Sequence, residues 1–111
     1  MDLPLSDIRF SQDSIGRRFS DGGTVYGLAR RLSRENWYVH TVPPIRVVLD
    51  DQSGEYVSLD NRRLYAMYEG LGENFSVCVE VCNDFESIGE LDWKLGDQAP
   101  YQFHEVRVRG Q

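Results

Sequence analysis

The chain has 111 residues, a net charge of −6, 41% hydrophobic and 12% aromatic residues, which is enough for one domain with a modest core and too apolar for a disordered tail. No run of 18 or more apolar residues occurs, which argues against a membrane-spanning helix and a membrane partner. So acidic a chain is a poor electrostatic partner for duplex nucleic acid, whereas a small anion remains a good one.

Residues 1–6 carry neither a basic stretch nor an apolar one and are expected to form a loose lead-in rather than a signal peptide. From Asp7 to Gln12 the residues alternate, with Ile8 and Phe10 on one side and Arg9 and Ser11 on the other, which predicts a short strand. Residues 13–23 are polar, with Phe19 as the one apolar anchor, and Asp21-Gly22-Gly23 signals a turn and a helix start. Val25, Leu28, Ala29 and Leu32 recur at helical spacing and predict a helix over 24–34. Arg30, Arg31 and Arg34 fall toward its C-terminal end, where the dipole favours cations. Trp37, Tyr38 and Val39 are expected to pack back after it, and Pro43-Pro44 bars further helix.

Ile45 to Asp50 is rich in β-branched residues and predicts a central strand; Asp51–Gly54 is a hairpin turn, and Tyr56–Leu59 returns antiparallel. A second helix is predicted over 61–71, with Leu64, Met67, Tyr68 and Leu71 as its apolar face and Gly72 ending it. Phe75–Cys82 alternates and predicts another strand, in which Cys78 and Cys82 lie about 13 Å apart, too far for a disulfide. Both cysteines are read as small residues packing on one sheet face. Residues 83–100 carry Asp84, Glu86, Glu90, Asp92 and Asp97 against Lys94 and predict an irregular acidic segment, in which Leu91 and Trp93 dock a loop or a short helix, with 84–97 as a candidate protein contact. Residues 101–109 close the chain as a last strand. The order predicts a single α+β domain over 1–111, with a small mixed β-sheet and two main helices.

One stretch, Leu59–Ala66, stands out. Asp60 is placed to cap the second helix, and Arg62 and Arg63 fall in its first turn, where the dipole favours acidic side chains. Two guanidinium forks beside free backbone N–H groups make a phosphate site. Asn61 belongs to the same turn, and Arg46 starts the strand that leads toward it. The basic side chains of the chain are eleven arginines and one lysine, and Arg is the residue suited to bidentate phosphate contacts.

Pro43–Val48, the hairpin and then Leu59-Asp60-Asn61-Arg62-Arg63-Leu64-Tyr65-Ala66 resemble the ParB/sulfiredoxin-like superfamily. Ile8–Ile15, Phe19–Gly22 and Val106–Gly110 are similar to a ParB-like subgroup found as small proteins and as toxin modules and described as ParB-like nucleases. The resemblance implies a ParB/sulfiredoxin-like fold in which the arginine motif holds a nucleotide or nucleic-acid phosphate. Where the family carries Gly-Glu, this chain has Asp60-Asn61, and the Cys-His-Arg of a sulfiredoxin is missing, so sulfinic acid reductase activity is not expected. Two readings stay open: a nuclease or phosphoesterase, and a non-catalytic nucleotide-binding or interaction module. The expected location is the cytoplasm, or outside the cell only within a larger toxin.

For the hydrolytic reading, Asp13 and Asp21 are the candidate catalytic residues, with Gln12 beside them; such a set positions water or Mg²⁺. Asp21 also suits a helix cap, and Asp13 a turn. Arg17 and Arg18 are candidates to cover a ligand from the loop. His40 and His104 have no partner in sequence for general-base work. No metal-ligand set is assigned.

Overall fold

The computed structural model describes residues 1–96 and 105–109. The described residues hold seven strands: Asp2–Pro4 (β1), Ile8–Arg9 (β2), Ser14–Ile15 (β3), Ile45–Leu49 (β4), Tyr56–Ser58 (β5), Ser76–Val81 (β6) and Arg107–Val108 (β7). Three α-helices accompany them: Val25–Arg34 (α1), Asn61–Leu71 (α2) and Phe85–Leu95 (α3). The architecture is α+β around a mixed sheet ordered β1-β6-β4-β5-β2, with β3 and β7 forming a separate parallel pair. Within the sheet β1–β6 and β4–β5 are antiparallel, and β4–β6 and β2–β5 are parallel.

The sheet has to curl. β1 and β2 occupy its opposite edges, yet only Leu5–Asp7 joins them. Four residue steps reach at most about 14 Å, whereas a flat five-stranded sheet is about 19 Å from edge to edge. The linking residues form a short 3-10 turn whose Leu5 is fully buried, and the backbone N–H groups of Leu5 and Ser6 donate to Phe75 and Glu73.

β4 is the central strand, as its β-branched sequence predicts, and it is covered on both faces. Ile45 and Val47 enter the main core with Leu32, Leu64 and Met67 from α1 and α2. Val48 turns the other way and packs with Val57, Leu59 and Leu91, so α3 covers the opposite face. α1 and α2 cross closely at Gly70, where an added Cβ would lie 2.5 Å from the Ala29 carbonyl oxygen and 2.9 Å from Leu32 Cβ. Only a glycine permits that approach.

The structure corrects several expectations. Residues 1–6 are not a loose lead-in: β1 is paired to β6 with Leu3 buried opposite Val77. The strand expected over 7–12 is reduced to Ile8–Arg9, and Ser11, expected on the outer side, is fully buried. The segment 83–100 is not irregular up to Gly96; Asp84 caps α3 by accepting from Ser87 N–H, and Leu91 and Leu95 supply the buried side. The described residues therefore hold three main helices rather than two. Cys78 and Cys82 are free thiols, as expected, but β6 buries Val77 and Val79 on its inner side and leaves Cys78 exposed and Cys82 half-buried. The last strand is seen only as β7, and residues 101–104 lie outside the described residues.

Candidate functional site

The loop after β5 carries the chain directly into α2, and the side chains at this junction decide the site. Asp60 sits at the cap position but makes no side-chain cap bond. Its carboxylate turns back to β4 instead, accepting from the Arg46 backbone N–H at 2.8 Å and from Arg46 Nη2 at 2.7 Å. The N-cap expectation is therefore wrong, because a guanidinium brought alongside by the sheet outcompetes the local amides. Burial pushes the Asp60 carboxyl up, but the hydrogen bonds from Arg46 and the nearby Arg63 and Arg46 charges outweigh it, and its pKa ends below the ordinary value. The Asp60 hydrogen bond is the main reason that the Arg46 pKa is raised, against the opposing effect of its own burial.

The consequence lies at the N-terminus of α2. With Asp60 turned away, the backbone N–H groups of Asn61, Arg62 and Arg63 have no acceptor among the described residues. These three residues line a cleft of about 420 Å³. Among the described residues five cationic ones line it, Arg46, Arg62, Arg63, Lys94 and Arg109, against the two carboxylates of Asp60 and Glu90. A local excess of positive charge in a chain of net charge −6 is the feature that marks this cleft.

Each arginine is held from the protein side. Arg62 Nη1 donates to the Arg18 carbonyl at 2.5 Å. Arg63 Nη1 donates to the Pro44 and Pro43 carbonyls at 2.9 and 3.1 Å and approaches Asp60 at 3.4 Å. A guanidinium has five N–H donors; the Nε and Nη2 groups of both residues have no acceptor among the described residues. Arg46 is less available, since it bridges Asp60 to Glu90 on α3 at 3.3 Å, and Lys94 approaches the same Glu90 at 3.7 Å.

Asn61 has another task. It is buried, its Oδ1 accepts from Ser11 N–H at 2.9 Å, and its Nδ2 donates to Ser11 Oγ at 2.8 Å. Ser11 Oγ in turn donates to the Ser58 carbonyl. This satisfied polar knot ties the stretch after β2 to the start of α2, and the Asn61 side chain, expected at the phosphate site, is engaged within it. Asn61 Nδ2 also reaches Gln12 Oε1 at 3.4 Å, which places Gln12 on the cleft wall.

Of the remaining expected residues, Asp13 is exposed and lines neither this cleft nor the one beside it. Asp21 lines the adjoining cleft and accepts from Gly23 N–H at 2.9 Å; the helix cap is Thr24, whose Oγ1 accepts from Gly27 N–H. Arg17 and Arg18 contribute backbone carbonyls, to Val25 and Arg62, and their side chains line neither cleft. His40 is exposed and His104 lies outside the described residues. Among the described residues no three His, Cys, Asp or Glu side chains gather as metal ligands.

Two cations of the cleft escape a reading of the sequence. Arg109 arrives because β7 pairs in parallel with β3, where its Nη1 donates to Ser14 Oγ at 2.8 Å, a contact across 95 residues with no local signal. Lys94 lies one helical turn after Glu90, and that (i, i+4) spacing is the hint that α3 offers. No helix among the described residues is long and apolar enough to cross a membrane. No protein-family model, no curated protein and no solved structure matches the chain.

Proposed function

We propose that the chain is a phosphate-binding domain of ParB/sulfiredoxin-like type, taking a nucleotide or nucleic-acid phosphate at the start of α2. The observation that carries this reading is the open turn Asn61–Arg63: three residues whose backbone N–H groups have no acceptor among the described residues line a cleft together with the unused donors of Arg62 and Arg63. Helix N-termini favour anions, and arginine forks match phosphate oxygens. The order of strand, hairpin and arginine-bearing helix supports the family resemblance.

Binding without catalysis is the better supported form. Hydrolysis needs a carboxylate or histidine free to take a proton or place a water. The two carboxylates in the cleft are both tied to Arg46, and Asp13 lies away from it. A cytoplasmic location, or export only within a larger toxin, belongs to the same reading.

A thermal-shift series with nucleoside mono-, di- and triphosphates, with and without Mg²⁺, tests the proposal. A ligand at a hundred times its Kd stabilises the fold by about 2.7 kcal/mol, an easily read upward shift. The shift is expected to vanish in the Arg62→Ala, Arg63→Ala double variant. No shift with any nucleotide at millimolar concentration contradicts the proposal.

A further inference from the structure

The outer side of α3 is apolar and acidic at once. Phe85 is 92% exposed, and Trp93, expected to dock this segment, is 78% exposed. Eight residues apart on a helix, the two rings stand on one side, about 12 Å apart at their bases, with Gly89 midway between them. A Cβ added at Gly89 would meet nothing within 4 Å, so no packing requires this glycine, and it leaves a gap between the rings. Glu86 and Asp92 flank that gap. Both are exposed, and neither has a cationic partner among the described residues. The inner side of the same helix places Leu91 in the core and Glu90 and Lys94 at the cleft beside α2.

α1 carries the opposite pattern. Arg30 and Arg34 are exposed one helical turn apart, without a carboxylate partner among the described residues, whereas Arg31 is paired to Glu35. Trp37, 54% exposed, follows Arg34 in the 3-10 segment Asn36–Thr41. One face therefore offers two unpaired carboxylates between two aromatic rings, and the other offers two unpaired guanidinium groups beside a third ring. Removing such rings from water favours contact, and opposite charges across the contact steer the approach and fix its register. A guanidinium over the Trp93 ring adds a cation–π attraction.

We propose that the α3 face of one copy of this chain docks against the α1 face of a second copy, with Arg30 and Arg34 meeting Glu86 and Asp92 across Gly89. α1 lies on the side of the sheet that Ile45 and Val47 enter, and α3 on the side taken by Val48. The two docking faces point away from one another, so a two-fold pair cannot satisfy both, and the contact repeats head to tail. Two short helices bury less than the roughly 1,200 Å² of a stable complex, so the assembly is reversible, and its exposed charges make it sensitive to salt. Phe85, Glu86, Asp92 and Trp93 line neither cleft, so nucleotide binding at the start of α2 survives their replacement.

Analytical ultracentrifugation from micromolar to millimolar protein tests this, with the wild type and three variants: Glu86→Arg with Asp92→Arg, Arg30→Glu with Arg34→Glu, and Gly89→Gln alone. The wild-type mass is expected to rise with concentration, without a plateau at two copies, and to return to the monomer's in about 1 M salt, where the screening length is about 3 Å. Each charge-reversed variant is expected to stay monomeric by itself. An equimolar mixture of the two is expected to associate again, because each then meets opposite charge on both faces, a recovery that a folding defect cannot give. Gly89→Gln is expected to keep or raise Tm, since glutamine is the better helix former, and to lose association. A wild-type mass that does not change with concentration, a series that stops at two copies, a reversed variant that associates alone, a mixture that stays monomeric, or a Gly89→Gln protein that associates as wild type does overturns the proposal.

Discussion

Asp60 is the residue on which the site turns, because the same carboxylate cannot both cap α2 and hold Arg46. In the structure it holds Arg46, and the three amides of the first turn are left without an acceptor among the described residues. Its lowered pKa has a consequence for stability. The folded state keeps this carboxylate ionised to lower pH than the unfolded chain does, so its contribution is complete above the ordinary value of about 4 and is lost as pH falls through the lower folded value. Asp60→Asn is expected to flatten the acid limb of a Tm-against-pH curve below about pH 4; an unchanged limb would place the titrating group elsewhere. The buried knot around Asn61 makes a second prediction. Asn61→Ala leaves the Ser11 N–H without its acceptor, at a cost of about 1–3 kcal/mol, to be read by urea unfolding as a lower midpoint with an unchanged slope.

At the scale of elements, the crossing of α1 and α2 depends on Gly70, since a Cβ there meets backbone rather than a side chain that could swing aside. Gly70→Ala is expected to destabilise by about 1–3 kcal/mol through forced separation of the helices, although alanine is the better helix former. Thermal unfolding checks the sign. The third helix tunes the cleft from the other side: Glu90 of α3 engages Arg46 and approaches Lys94. Glu90→Gln removes a negative charge from the site and is expected to strengthen phosphate binding on the order of fivefold, equivalent to about 1 kcal/mol for a half-exposed charge pair. Titration calorimetry reads it directly. Locally specified elements were legible in the sequence: α2 with Gly72 at its end, α1, and the β4–β5 hairpin all follow from periodicity and turn residues. α3 was hidden because Phe85 and Trp93 are aromatic yet exposed, 92% and 78%, and because Gly89 interrupts the run. β1 was hidden because three residues carry no period; only its partner β6 makes it a strand. Arg62 and Arg63 were legible from their odd place at a helix start, but the partners of Asp60 and the arrival of Arg109 are set by pairing across the sheet and along β3, which no local pattern encodes.

Across the whole molecule, charge is sorted rather than balanced. A chain of net charge −6 gathers five cations of its described residues around one cleft and lines the adjoining one with Arg30, Arg31 and Arg34, while the acidic residues concentrate after residue 50. The curled sheet makes this possible by wrapping β2 and its following loop onto the start of α2, so that segments 50 residues apart share one wall. Binding at such a site weakens as salt rises, since exposed charges are screened over about 10 Å at 0.1 M. The most direct measurement is a crystal grown with a nucleotide and then exchanged into tungstate, a heavy-atom phosphate mimic, with its anomalous peak located. The peak is predicted within about 4 Å of the Asn61–Arg63 amides and the free Arg62 and Arg63 donors, with the tungstate oxygens about 3 Å from them. A peak elsewhere, or none at millimolar tungstate with this cleft open to solvent, would contradict a phosphate site at the start of α2.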